Sequence, residues 1–175
     1  ETQMNALQSL DEAATRLSKL NQALLLLTKI ENSQFVQTEQ VNLSSMMLRY
    51  VENLEELAKT KNILIVEHIK PDKFVEMNES LAEILVSNII INAIRHNHTN
   101  GNIEIDLDEN ALTISNTGAE PSNPTSEFFE RFRKGSSSGD SLGLGLSIVK
   151  KICDRYGFPV CYNFADGIHS VKIEF

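Results

Sequence analysis

Between Leu10 and Leu27 the chain places apolar residues at Leu10, Ala13, Leu17, Leu20, Leu24 and Leu27, with spacings that alternate between three and four. That alternation draws one stripe along an α-helix and is the seam of a helical hairpin or coiled coil. Leu7, Leu25, Leu26 and Ile30 widen the stripe, so a helix over residues 1–33 is expected to meet more than one neighbour. A helix alone has nothing to bury such a seam against. The expectation is a partner helix, from a longer chain or a second copy; the alternative is that the helix folds back on the domain that follows. The pattern is already helical at Glu1, which suggests a piece of something longer.

Beyond residue 33 the periodicity changes. Residues 33–40 break the helix and are expected to hold a short extended piece around Phe35 and Val36. Ser44 or Ser45 suits the N-cap of a second helix whose apolar face is Met47, Leu48, Val51, Leu54 and Leu57. Residues 63–69 alternate as a strand, Pro71 and Asp72 turn the chain, and residues 74–77 form a second short strand. Asn78 opens a third helix reaching about His96, and strands over 103–107 and 111–115 follow. Residues 117–142 are rich in Gly, Ser, Pro and Asn around one apolar island, Phe128-Phe129-Glu130-Arg131-Phe132. So long a stretch without periodicity inside a compact domain is functional or disordered. A fourth helix runs from the Gly-Leu-Gly at 143–145 to Tyr156, and strands over 158–164 and 168–175 close the chain. With no internal repeat, the order reads as α+β: a two-layer α/β sandwich, its mixed sheet covered by helices on one face.

Charge and composition narrow the partners. With 16 Lys+Arg against 24 Asp+Glu the net charge is -8, which argues against a nucleic-acid or anionic-membrane surface. A small anionic ligand needs only a few local cations, and Arg95, Arg131, Arg133 and Lys134 supply them. No apolar run approaches a bilayer span, and there is no signal-peptide pattern. Cys153 and Cys161, outside any C-x-x-C spacing, are expected as reduced thiols packed in a core.

Three constellations carry chemistry. Asn88 and Asn92 are four apart, so their amides share one face of an otherwise apolar helix, with Arg95 and His96 at its end. Buried amides need partners, which a ligand or other protein groups can supply. Asn116 and Gly118 end a strand in a turn, which hairpin chemistry alone explains. Gly143, Leu144 and Gly145 open a helix whose N-terminal N–H groups and dipole suit phosphate, although a glycine hinge ending a loop reads the same way. Neither a P-loop nor a dinucleotide fingerprint is present.

In order and spacing these motifs resemble the catalytic domain of sensor histidine kinases, in the ATPase superfamily of gyrase, Hsp90 and MutL. The resemblance covers residues 34–175, and the leading helix is similar to the second helix of that family's dimerisation hairpin. It implies a Bergerat-type fold binding ATP and Mg²⁺. Asn88 and Asn92 then match the residues that hold the metal. Arg95 and His96 face the nucleotide, and Asn116 and Gly118 match the first glycine box, whose acidic residue recognises adenine. Phe129 and Phe132 match the phenylalanine box, and Lys134 belongs to a mobile lid over 117–142. Gly143, Leu144 and Gly145 match the second glycine box, and Ser170 a hydroxyl position near adenine.

Two residues depart from the pattern. Asn116 replaces the adenine-binding Asp and Glu120 replaces a glycine, both changes that weaken nucleotide binding. Asn88 stands where gyrase-like ATPases carry a water-activating Glu, which favours kinase over hydrolase. No histidine here sits in a phosphoacceptor motif; His68, His96, His98 and His169 are all unsuited. The resemblance thus implies a cytoplasmic donor module. It would pass the γ-phosphoryl of ATP to a histidine on a missing hairpin helix of a homodimer, and onward to a response regulator receiver domain. A hydrolytic ATPase, an anti-sigma-type serine/threonine kinase and a nucleotide-deficient dimerisation scaffold are the alternatives.

Overall fold

The computed structural model describes residues 2–131 and 142–175. The elements run α1 (Thr2–Glu31), β1 (Glu39–Asn42), α2 (Leu43–Lys59), β2 (Leu64–Ile69), β3 (Phe74–Met77), α3 (Glu79–Arg95), β4 (Asn102–Leu107), β5 (Ala111–Thr117), α4 (Gly145–Tyr156), β6 (Val160–Ala165) and β7 (Ile168–Glu174), with a 3₁₀ turn at Thr125–Glu127. Five strands form a sheet in the order β2-β4-β5-β7-β6, parallel between β2 and β4 and antiparallel elsewhere. β1 and β3 form a separate antiparallel ladder. Helices α2, α3 and α4 cover one face of the five-stranded sheet, giving the expected two-layer α+β sandwich with a long helix in front.

Period-two alternation drives the sheet. Ile103, Ile105 and Leu107 of β4, Leu112 and Ile114 of β5, and Val171 and Ile173 of β7 are buried, while the residues between them are at least partly open. Helix α3 lies in the middle of the helix layer, packed against α2, α4 and β5. Its Leu81, Ala82, Leu85, Val86, Ile89, Ile90, Ala93 and Ile94 are all buried, which explains a helix that is apolar around most of its circumference.

Several sequence expectations shift. The extended piece is Glu39–Asn42, not Phe35 and Val36, because β1 is defined by its register with β3, Glu39 against Met77. The N-cap of α2 is Asn42, whose Oδ1 accepts from the Ser45 N–H. Strand runs into helix with no loop, so the cap sits on the last strand residue. Ser44 instead donates to the Lys70 carbonyl and accepts from the Lys73 N–H, pinning the β2–β3 turn. On α2, Leu48 and Leu57 are exposed whereas Leu43 and Met46 are buried. Cys153 is in the core but Cys161 is exposed. β5 continues two residues beyond Ser115, which brings Asn116 and Thr117 into the sheet.

Helix α1 is buried only near its end. Leu27 and Ile30 join the core and α1 packs on α4, while Met4, Leu7, Leu10 and Leu17 are exposed. Residue Ile90, fully buried at the centre of α3, reports on the whole sandwich. The substitution Ile90→Ala should cost about 2–5 kcal/mol of unfolding free energy in urea titration. A loss under about 1 kcal/mol would mean that α3 is not the centre of the core.

Candidate functional site

The site is assembled at one end of the sheet, where the C-terminal turns of α3, the last residues of β5 and the first of β7 meet. On α3 the Asn88 Nδ2 donates to the Ile84 carbonyl at 2.7 Å, a backbone bond one turn earlier. That bond fixes the amide, and its Oδ1 lies 3.1 Å from where a Cβ on Gly145 would stand. A glycine at the first turn of α4 therefore lets that helix start against Asn88, and the Asn88 oxygen faces the beginning of α4. One turn on, the Asn92 amide is half-buried and makes no hydrogen bond to another described residue. Gly143 takes a positive φ of 66°, and Leu144 behind it is buried, so the backbone turns sharply into α4 while its side chain anchors the turn.

The floor comes from strand alternation. Asn116 and His169 stand opposite one another across β5 and β7, both buried, continuing the inner face that Ile114 and Val171 occupy. Asn116 Nδ2 donates to the Thr117 carbonyl at 2.8 Å. His169 Nε2 lies 2.9 Å from the Ala119 carbonyl, which can only accept, so this nitrogen carries the proton and Nδ1 accepts from the Tyr162 hydroxyl at 2.7 Å. A Cβ on Gly118 would fall 2.5 Å from the His169 ring, so only glycine lets the strand exit pass over it. Phe128 is buried with its ring edge-on to Tyr162, centroids 4.8 Å apart. Burial pushes the Tyr162 phenol above its ordinary range.

Two networks hold the end of α3. Lys61 Nζ donates to the carbonyls of Ile94 and Arg95 at 3.1 and 2.7 Å, and so covers the negative end of the helix dipole. Buried Asn97 donates to the Asn102 carbonyl and accepts from the Thr117 hydroxyl, tying α3 to both strands. Glu31, at the end of α1, binds Arg131 at 2.6 Å and Lys151 at 3.3 Å, and these cations hold its carboxyl below the usual range.

The sequence-predicted residues divide as follows. Asn88 and Gly145 are brought together at the α3–α4 interface, with Gly143 and Leu144 just before Gly145 and Asn92 one helical turn beyond Asn88, and His96, Asn116 and Gly118 lie at the floor. Arg95 is exposed at the end of α3. Ser170 is not brought in: it pairs with Ser115 on the opposite face of the sheet, and His169 takes the inward place beside Asn116. Alternation counted back from buried Val171 finds this. Phe129 is only partly covered, and Phe128 is the anchored ring. Arg131, expected toward phosphate, is held by Glu31. Phe132, Arg133 and Lys134 lie outside the described residues. Glu120 is exposed, so its carboxylate is solvated. Lys61, Asn97 and His169 were missed because their roles depend on contacts distant in sequence.

The family model for "Histidine kinase-, DNA gyrase B-, and HSP90-like ATPase" matches residues 77–170, a span that contains every site residue named above from α3 to β7. The chain belongs to that family. It is 30% identical over 156 residues to the heme sensor protein HssS of Staphylococcus saprophyticus, covering 86% of this chain and 34% of that protein. It is 33% identical over 149 residues to HssS of Staphylococcus aureus strain Newman, covering 81% and 32%. The chain thus spans about a third of the length of these curated relatives. Among solved structures, the Acinetobacter baumannii histidine kinase AdeS superposes with a TM-score of 0.77 at 22% identity, over 97% of this chain and 82% of that one. The mycobacterial sensor histidine kinase MprB gives 0.68 at 24% identity, over 78% and 97%. The fold is that of histidine kinase catalytic domains, an ATP-binding type.

The imidazoles of His96 and His169 make the site pH-sensitive. Burial is the leading cause that holds both below the ordinary 6.5; His169 adds to the effect on His96, and the Ala119 carbonyl opposes it at His169. The unfolded chain takes up these protons first, so the stability present in full above pH 6.5 is lost as pH falls below it. The urea midpoint should be level from about pH 8 to 6.5 and drop toward about pH 5.5, with a shallower drop in His169→Gln. Equal midpoints at both ends of that range would contradict the burial of neutral rings.

Proposed function

We propose that this chain binds Mg-ATP between α3 and the start of α4, and presents the γ-phosphoryl to a histidine on a hairpin helix. The single observation that carries the reading is the Asn88 amide oxygen. It is turned by the Ile84 bond toward a helix N-terminus whose first turn carries a glycine, with the Asn92 amide, unbonded among the described residues, one turn away. Magnesium takes hard oxygen ligands, and two amide oxygens on one helical face beside an anion-attracting helix end fit that preference. When bound, the ion neutralises phosphate charge; the side chains hold and orient the nucleotide, and a helix dipole at the phosphates adds to the field.

Adenine recognition falls to Asn116. Its Nδ2 already donates to Thr117, so Oδ1 is the atom available to accept from an exocyclic amine. An uncharged acceptor makes a weaker bond than a carboxylate would, which predicts modest affinity without loss of the site. An amide at position 88 is no general base for water, which supports transfer over hydrolysis. Residues 1–33 act as one arm of a dimerisation hairpin, residues 34–175 as the catalytic domain, and the onward acceptor is a response regulator receiver domain. The surrounding protein is a homodimeric membrane-anchored sensor whose catalytic part lies in the cytoplasm.

Calorimetry with Mg-ATP tests this. Binding should be saturable, and Asn88→Ala and Asn92→Ala should each weaken it tenfold or more, about 1.4 kcal/mol. Absence of binding at millimolar nucleotide would leave the scaffold reading in its place.

A further inference from the structure

The face of the sheet turned away from the helices carries a cluster that the nucleotide site does not use. β2 is an edge strand, paired only with β4 and in parallel, so residues in register project to the same side. His68 stands opposite Asp106, and Glu104 lies two residues before Asp106 on that strand. Their neighbours Ile103, Ile105 and Leu107 fill the core, which commits Glu104 and Asp106 to the outer face. One ligating atom from each of His68, Glu104 and Asp106 lies within 4.8 Å of the others, and His68 Nε2 is 3.7 Å from Glu104 Oε1.

The charges around this cluster do not balance. Two carboxylates converge beside one imidazole, so the cluster is negative in either protonation state of the ring. No Lys or Arg among the described residues pairs with either acid. Glu104 has His68 as its ion-pair partner, and half-buried Asp106 makes neither hydrogen bond nor ion pair among the described residues. The next strand offers only Ser115 opposite Glu104 and Thr113 opposite Asp106. The cation beyond them, Lys172, is engaged by Glu174 at 2.6 Å.

We propose that His68, Glu104 and Asp106 form a divalent transition-metal site, suited to zinc, that clips edge strand β2 to β4. An imidazole nitrogen with two carboxylate oxygens is a ligand set zinc accepts, with water completing four-coordination. Magnesium and calcium favour all-oxygen shells and are served less well. Zinc bonds of about 2.0–2.2 Å place ligand atoms about 3.4 Å apart, so the set closes with small side-chain movements, chiefly of the exposed His68 and Glu104. The clip would secure a strand that has a hydrogen-bonded neighbour on one side only, where Leu64 and Val66 are exposed.

The test is a titration of zinc chloride into the nucleotide-free chain by calorimetry, with amide exchange followed over residues 64–69. One equivalent should bind and slow exchange in β2. His68→Ala and Asp106→Asn should each weaken binding at least tenfold, while His98→Ala, an exposed histidine after α3, should not. Zinc binding that survives the first two substitutions, binding that protects no β2 amide, or no binding at millimolar zinc would each overturn the site.

Discussion

Everything in this domain is arranged around the burial of α3. The helix presents Leu85, Ile89, Ile90 and Ile94 to the core, yet the same helix carries two amides that cannot be left without partners in an apolar medium. The fold reconciles these demands by packing α3 in the middle of the helix layer and leaving the Asn88–Asn92 face toward the start of α4. Gly145 eases that arrangement, because a Cβ there would stand 3.1 Å from the Asn88 oxygen, closer than most such contacts. The amide face of α3 and its core faces are thus two sides of one packing problem.

The end of α3 is held as firmly as its middle. Lys61 covers its last carbonyls, and the Asn97–Thr117–Asn102 network fastens it to β4 and β5. Those bonds meet β5 at Thr117, next to the position where Asn116 faces His169. Glu31 adds a link from outside the sandwich, holding Arg131 of the 117–142 segment and Lys151 of α4 to the last turn of α1. The leading helix and the catalytic domain share charges as well as the contact made by Leu27 and Ile30.

What could be read from sequence follows what is local. Helix α3 and its Asn78 cap, the Gly-Leu-Gly start of α4, and strand β3 were legible because caps, glycines and periodicity act over a few residues. The Asn42 cap was missed because strand and helix share that residue. His169 rather than Ser170 takes the inward place: alternation with Val171 and Ile173 marks the position, but only the register against β5 shows that Asn116 stands opposite it. Arg131 was assigned to phosphate on charge alone, and only the fold shows Glu31 within reach. The N-terminal seam was legible as a stripe, but sequence could not tell that only its last turns meet this domain.

Donation of phosphate to a histidine is the claim on which the functional reading turns. The chain should be mixed with a histidine-bearing two-helix hairpin and Mg-ATP labelled at the γ-phosphate. Acid-labile, base-stable label should appear on the hairpin histidine and be lost with Asn88→Ala. Steady release of inorganic phosphate with no label on the hairpin would contradict a kinase and identify a hydrolase instead.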